Sequence, residues 1–393
     1  MDLTKLMELD KTYYMNTFGQ RNPVFFERGE GVYLYDSIGN KYLDFFSGIA
    51  VNSCGHSHPY FVEGLCNQIK KLIHTSNLYY IKNQTLLAKT IVENSCADKV
   101  FFANSGAEAN EGAIKLAKIY FYKQGKPHKN EFITLKNSFH GRTLATLAAT
   151  GQEKYQKPYG PLIHKFIHAP INDIDALKSL VTDNTAGIIL EPIQGEGGVY
   201  EVDKEFAKAV RKLCDEKEIL LIFDEVQTGM GRLGYLFGYE YLETEPDIFT
   251  LAKALGNGIP IGAICAKDFV AKSFSPGDHG STFGGNPLAT CAGLLVFDII
   301  KKENLVENAK NMGNYFMEKL QKIPQVKQVR GCGLMIGLSV DNAKEIQKKL
   351  FLEKILVGAV GDETLRILPP LIVKKEEIDL FINAFKKVLG GNL

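Results

Sequence analysis

The sequence of 393 residues has almost no excess of charge of either sign: 46 lysines and arginines stand against 45 aspartates and glutamates, a formal net charge of +1. A chain so balanced has no bulk electrostatic attraction for nucleic acid or an anionic membrane. Paired cysteines are missing as well. Cys54, Cys66, Cys96, Cys214, Cys265, Cys291 and Cys332 are scattered, odd in number, and form no C-x-x-C pair. That spacing argues for a reducing compartment over a disulfide scaffold. No apolar run is long enough to span a bilayer, and the opening MDLTKLMELDKTYYM interrupts its apolar residues with charge where a signal peptide needs an unbroken stretch. Internal repeats and low-complexity segments are absent too. These absences lead to the expectation of a cytoplasmic protein. Its 45% apolar and 23% charged residues are ordinary for a globular fold, and its length allows two domains.

Between about 97 and 270, short apolar runs alternate with helical patterns. The runs are VFFA (100–103), FITL (132–135), AGIIL (186–190), ILLIF (219–223), IFTLA (248–252) and IGAICA (261–266); residues 107–123 and 204–217 carry apolar residues at helical spacing. Such alternation, with strands apolar throughout, predicts an α/β fold whose mostly parallel sheet is covered on both faces. After about 285 the texture changes to long helical patterns (287–301, 304–321, 342–354, 375–389) around LMIGLSV (334–340), ILVGAV (355–360) and TLRIL (364–368), which reads as a smaller α+β domain. The first fifty residues contain GVYLYDSIGNKYLDF (31–45), a hairpin turning near Gly39-Asn40 that needs another layer to pack on. The expected organisation is an N-terminal segment 1–50 packing with the small domain, a large domain 51–285, and a C-terminal small domain 286–393.

In open parallel sheets, ligands bind beyond the carboxyl ends of the strands. The polar residues there are informative. VFFA runs into Asn104-Ser105-Gly106-Ala107-Glu108, a helix start whose free N–H groups suit a phosphate, or equally an ordinary capping box. FITL is followed by Phe139, His140 and Arg142; AGIIL by Glu191 and Glu196; ILLIF by Asp224, Glu225, Val226 and Gln227; IFTLA by Lys253. Together they place a phosphate cradle, an aromatic, carboxylates and a lysine along one rim.

That set suits pyridoxal phosphate (PLP). The Lys253 amine would join the cofactor's aldehyde, and a desolvated lysine deprotonates more readily, as that bond requires. Asp224 would keep the pyridine nitrogen protonated. Ser105, Gly106 and Ala107 would take the phosphate, Phe139 would stack on one ring face, Val226 would pad the other, and Gln227 would bond the ring hydroxyl. Glu225, between them, is counted with the cofactor-binding set.

The segments FFANSGAEANEGAIKLA, FHGRT, EPIQGEGGV, LIFDEVQTGMGRLG, LAKALGNGIPIGA and HGSTFGGNPLA, taken together and in this order, resemble the class III (subgroup II) PLP-dependent aminotransferases. The resemblance runs from about residue 20 to the C-terminus. Within that family, FDEVQTGMGR, HGSTFGGNPLA and SGIAVNSCGH are most similar to the members that act on N2-acetylornithine. It implies a fold-type I transferase, a homodimer with shared active sites, and ping-pong transamination between N2-acetylornithine and 2-oxoglutarate. N-succinyl-diaminopimelate, succinylornithine, ornithine and 4-aminobutyrate are donors used by relatives. The same resemblance implies Thr282 as a phosphate ligand donated by the other subunit, with Ser281 beside it at a position associated with acetylornithine. It implies Arg142 as the clamp for the substrate carboxylate, and Glu196 and Arg366 as a switching pair. Related ornithine δ-aminotransferases carry a tyrosine where this chain has Ile49 and an aromatic near Gly19, which argues against free ornithine as the preferred donor.

Two motifs point elsewhere. GMGRLG (229–234) matches the dinucleotide-binding pattern by letter, but DEVQT separates it from the strand and no acidic residue ends a second strand some twenty residues on. A nicotinamide-dependent oxidoreductase is therefore a distant alternative. His56 and His58 could be metal ligands, but no further His/Cys cluster joins them, so a turn is the better reading and no metal is expected. A non-catalytic binding module would need neither the strand-end lysine nor the acid.

Overall fold

The structure, a computed structural model, describes residues 2–162 and 165–390; residue 1 and residues 391–393, the ends of the first and last expected segments, lie outside the described residues. After the helix Leu3–Tyr13, three strands, β1 (Phe26–Glu30), β2 (Tyr33–Asp36) and β3 (Lys41–Asp44), form an antiparallel meander. The β2–β3 turn falls where the sequence places it. Gly39 has φ 86°, and the Asp36 carboxylate accepts the N–H groups of Ile38 and Asn40, a short polar side chain replacing a backbone acceptor.

The chain continues through β4 (Lys99–Ala103), β5 (Glu131–Leu135), β6 (Phe166–Ala169), β7 (Thr185–Leu190), a small ribbon of β8 (Ile193–Gln194) and β9 (Tyr200–Glu201), then β10 (Leu220–Asp224), β11 (Ile248–Leu251) and β12 (Gly262–Ala266). Seven of these form one sheet in the order β4-β12-β11-β10-β7-β5-β6. It is mostly parallel, as the alternation predicts, but β12 runs antiparallel to both neighbours. A parallel return needs a crossover of about a dozen residues or more, and only residues 252–261 separate β11 from β12. β6 is absent from the apolar runs because it is a half-exposed edge strand with a histidine in its centre.

The sheet is apolar on both faces because both are covered. In β10, Leu221 and Phe223 join Phe206, Val210 and Leu213 of the helix Lys204–Lys217, while Leu220 and Ile222 join Ala113, Ile114 and Ala117 of the helix Gly106–Lys123. Side chains alternate across a strand, so a strand buried on two sides cannot alternate in polarity.

A second sheet, in the order β13-β14-β17-β16, is built from β13 (Gln328–Cys332), β14 (Met335–Ser339), β16 (Gly358–Val360) and β17 (Thr364–Ile367). The run ILVGAV divides at Val357: β15 (Ile355–Leu356) pairs in parallel with β3, while β16 pairs with β17. The N-terminal meander thus finds its extra layer in the C-terminal segment, where Phe45 packs 5.7 Å from Phe316 and 5.5 Å from Phe381. The helix Pro287–Lys302 packs against Pro59–Ile69 and Lys82–Glu93.

Both distracting motifs have structural roles. GMGRLG is a series of turns, with Gly231 at φ 89° and Gly234 at φ 76°, and opens no helix. Its Arg232 is fully buried and donates to the carbonyls of Leu334 (3.0 Å) and Pro369 (2.5 Å) and to Ser53 Oγ (3.1 Å). Three distant stretches of chain are tied to one guanidinium. His56 and His58 bond separate carboxylates, Asp44 and Glu303, each at 2.8 Å.

Candidate active site

Strands β4, β5, β7, β10 and β11 are parallel, so their carboxyl ends share one rim. A cavity of about 380 Å³ opens there.

Beyond β4 the helix Gly106–Lys123 begins. The Ser105 side chain accepts the Glu108 N–H at 3.2 Å, and the Glu108 carboxylate accepts the Asn104 N–H. Ser105 therefore caps the helix, while Glu108 reaches the residue before the cap and the reciprocal bond of a capping box is not made; this leaves Gly106 and Ala107, whose N–H groups have no acceptor within the helix, lining the cavity. An anion is favoured at such a position. Two close approaches shape this corner. A Cβ on Gly106 would lie 2.8 Å from Val226, and one on Gly262 of β12 would lie 2.3 Å from the Ser105 carbonyl oxygen.

Asp224, at the end of β10, is buried and lines the cavity. Its Oδ2 accepts from Asn110 Nδ2 (2.7 Å) and from His140 Nδ1 (2.8 Å), and its Oδ1 accepts the Val226 N–H (3.0 Å). Of four acceptor positions on the carboxylate, the one left open is on Oδ1. It suits a protonated ring nitrogen. Glu191, after β7, is also buried; Oε1 accepts the Phe139 N–H at 3.2 Å and Oε2 has no partner among the described residues. Burial, and then the neighbouring Asp224 charge, push the Glu191 carboxyl well above its usual range. His140, Glu191 and Asp224 bring ligand-type atoms within 4.8 Å of one another, but hydrogen bonds already occupy both oxygens of Asp224.

Lys253 follows β11 in a left-handed conformation, φ 45°, at the start of a single 3₁₀ turn. This places it in the cavity with Asp224, Glu191 and Glu196. Burial lowers its pKa to about 8, helped by the charge of Arg366 and opposed by the three carboxylates. The sequence shows no acid beside Lys253; the fold supplies three.

Glu196 lies in the β8–β9 connection and bonds Arg366 Nη1 at 2.5 Å; Gln227 Oε1 accepts from the same nitrogen at 3.4 Å. Burial would raise the Glu196 carboxyl, but the adjacent guanidinium wins and lowers it. Arg366 is 4% exposed and Glu196 25%, so the pair is closed from beneath and open toward the cavity. Arg142 is exposed, lies 4.0 Å from the Tyr155 ring centroid and 5.4 Å from that of Phe139, and has no carboxylate partner among the described residues. It can take a ligand carboxylate on a preformed stack.

Ser105, Gly106, Ala107, Phe139, Arg142, Glu196, Asp224, Val226, Gln227 and Lys253 all line this cavity, with Arg366 behind Glu196. Glu225 does not. Its carboxylate turns away to accept the N–H groups of Gly238 and Tyr239, and burial raises its pKa to about 8. Adjacent residues leaving a strand point to opposite sides, so Asp224 and Glu225 cannot share a ligand face. Ser281 and Thr282 also lie outside this cavity's lining: Ser281 Oγ accepts from Asn104 Nδ2 (3.1 Å) and the Gly284 N–H (2.9 Å), and Thr282 is exposed. Four residues given no role by the sequence reading belong to the site: Asn110, His140, Glu191 and Val51. Asn110 was accessible to it, because it follows Gly106 by four residues and so shares its helix face. Val51 was not. It is set by Ser47, Gly48, Ile49 and Ala50, all at positive φ (51°, 63°, 67°, 59°), a left-handed turn the sequence does not announce.

In cofactor-free protein, labelling of Lys253 by an amine-selective reagent should rise about tenfold per pH unit up to about pH 8 and then level off, because only the neutral amine reacts. Exposed lysines should keep gaining reactivity to about pH 10. Peptide mapping of the labelled protein reads both; a Lys253 profile matching the exposed lysines would mean its ammonium is not desolvated.

Residues 14–389 match the sequence model of the class III aminotransferases. An acetylornithine aminotransferase of Caldanaerobacter subterraneus is 52% identical over 391 residues, covering 98% of this chain and 99% of that protein. That of Methanocaldococcus jannaschii is 51% identical over 389 residues, 97% of each chain. Among solved structures, ornithine aminotransferase of Toxoplasma gondii, with PLP at partial occupancy in its active site, superposes with a TM-score of 0.93 at 32% identity, covering 98% of this chain and 94% of that one. With the strand-end lysine and acid of one cavity matched by similarity over nearly the whole length, the chain belongs to the class III aminotransferases.

Proposed function

We propose that this chain transfers the δ-amino group of N2-acetylornithine to 2-oxoglutarate, giving N-acetylglutamate 5-semialdehyde and glutamate, with PLP as cofactor. The observation that carries this reading is the convergence of Lys253, Asp224 and the 105–107 helix start in one cavity of a chain half identical, over nearly its whole length, to proteins named for acetylornithine.

The cavity fits PLP on its own chemistry. The helix start would take the phosphate, the open position on Asp224 Oδ1 would take the ring N–H, Val226 and Phe139 would cover the ring, and Gln227 would bond its hydroxyl. When bound, the cofactor supplies an electron-withdrawing ring that carries the amino group from donor to acceptor. Lys253 Nζ is the amine that would hold the cofactor and, when free, would take the proton from the substrate carbon and return one on the other side of the transfer. A lysine with a pKa of about 8 serves both steps near neutral pH.

Two unlike substrates use one site. Arg142 binds the carboxylate far from the reacting carbon in each. The second carboxylate of glutamate needs Arg366, which Glu196 masks when the apolar methylene end of acetylornithine is present. Ile49, beside the cavity-lining Val51, offers no hydroxyl to a free α-amino group, which supports an acylated donor over ornithine.

A second copy completes the site in this reading. Asn77 bonds the carbonyls of Ser281 and Gly284, which ties a segment with exposed Leu78, Tyr79 and Tyr80 to the segment with exposed Thr282 and Phe283. A partner covering those segments would receive Thr282 at its own phosphate cradle.

Four measurements test these statements. With PLP bound, kcat/KM for N2-acetylornithine should exceed that for ornithine, N-succinyl-diaminopimelate, succinylornithine and 4-aminobutyrate, and Lys253→Ala should lose turnover by many orders of magnitude. A different leading donor replaces the substrate assignment, and turnover in Lys253→Ala ends the mechanism. Glu196→Ala should lower kcat/KM for acetylornithine about ten- to a thousandfold, because a desolvated guanidinium then faces a methylene, while the glutamate half-reaction is retained. Equal losses in both would make the pair static. Co-expressed Lys253→Ala and Thr282→Ala chains should recover activity that neither has alone, since one site of the mixed dimer then carries no lesion; no recovery would place Thr282 outside the partner's site.

A further inference from the structure

Asn110 and Thr250 are both fully enclosed, and neither has a part in the reaction just described. Asn110 stands one turn into the helix Gly106–Lys123, and Thr250 stands in β11 beside Asp224 of β10. Every polar function of the Asn110 amide is engaged. Its Nδ2 donates to Asp224 Oδ2 (2.7 Å) and to the His140 carbonyl (2.8 Å), and its Oδ1 accepts from Thr250 Oγ1 (2.7 Å).

The Asp224 carboxylate and the His140 carbonyl, which can only accept, decide which way the amide faces, and the Thr250 hydroxyl anchors the oxygen end. An asparagine can present either its oxygen or its NH₂ to a neighbour, and the two ends have nearly the same shape. The oxygen turned toward Asp224 would set two acceptors against each other in a buried place. The Thr250 hydroxyl, donating to Oδ1, holds the NH₂ end on the carboxylate. Asp224 Oδ2 is then filled by Asn110 and His140, Oδ1 by the Val226 N–H, and the carboxylate plane has no freedom to turn.

We infer that Asn110, held by Thr250, is a positioning residue that fixes the plane of the Asp224 carboxylate so that the open acceptor position on Oδ1 meets the cofactor ring. This rests on the proposed role of Asp224. It assigns to Thr250, whose side chain makes no hydrogen bond to Asp224 among the described residues, an effect transmitted through Asn110.

The test is a double-mutant cycle read on cofactor retention and on the first half-reaction. Asn110→Ala and Thr250→Val should each weaken equilibrium binding of PLP, measured by dialysis of the holoenzyme, about tenfold or more, and slow single-turnover deamination of acetylornithine about 10- to 100-fold. The double variant should be no worse than Asn110→Ala, because the hydroxyl acts only through the amide. Thr250→Ser, which keeps the donor, should restore both readouts, while Thr250→Val keeps the shape and guards against a packing explanation. If Thr250→Val behaves as wild type, or if the two losses multiply, the inference is overturned. Asp224→Ala run alongside separates the two levels: unchanged PLP binding in that variant would overturn the assignment of Asp224 itself, whereas a loss there with none in Asn110→Ala would overturn only the positioning role.

Discussion

Asp224 places a carboxylate at the end of the central strand of a sheet covered on both faces, buried except where it meets the cavity. Left without donors, such a group would cost several kcal/mol. Its donors come from three separate parts of the chain: Asn110 from the helix after β4, His140 from the loop after β5, and the Val226 N–H from the turn after β10. Those elements can meet only if β10 lies inside the sheet and the strands beside it run parallel. The requirement to satisfy one carboxylate and the topology of the sheet are thus the same constraint seen at two scales.

The arginines show how surroundings divide one side chain into different roles. Arg232 is enclosed and meets only carbonyls and a hydroxyl, so it acts as a tie between distant loops. Arg366 is enclosed but meets a carboxylate that is itself partly exposed, so its charge is neutralised at the edge of the cavity. Arg142 lies exposed on two aromatic rings. A guanidinium stacked in this way keeps its fork free for a carboxylate. A graded set of environments, from sealed to open, is what a site accepting one or two carboxylates requires.

The ends of the chain contribute through strain and pairing. The left-handed turn Ser47–Ala50 costs about 1–2 kcal/mol for each residue that is not glycine, and is held by Asp44, which accepts the Phe46 and Ser47 N–H groups, and by the Ser47 hydroxyl on the Leu368 carbonyl. Leu368 lies two residues beyond Arg366. The turn that leads into the cavity-lining Val51 is therefore tied directly to the strand that carries Arg366.

The sequence alone determined the strand–helix alternation, because a strand buried on two faces must be apolar throughout. It also determined the polar residue types at the strand ends, because glycines, a cap, carboxylates and a lysine there have few other reasons to coincide. The motifs carried the family for the same reason. Tertiary structure alone decided which of those residues share a cavity. Glu225 looked equivalent to its neighbour Asp224 but faces away, since side chains alternate along an extended chain. Lys253 looked isolated but stands among three carboxylates brought from other strands. Asn110 and Thr250, plain residues of a helix and a strand, became partners across 140 positions. The reversal of β12 and the division of ILVGAV between two sheets were likewise settled by which strands lay near enough to pair. Local residue pattern determines what each element must bury; only the packed chain determines what each polar group must face.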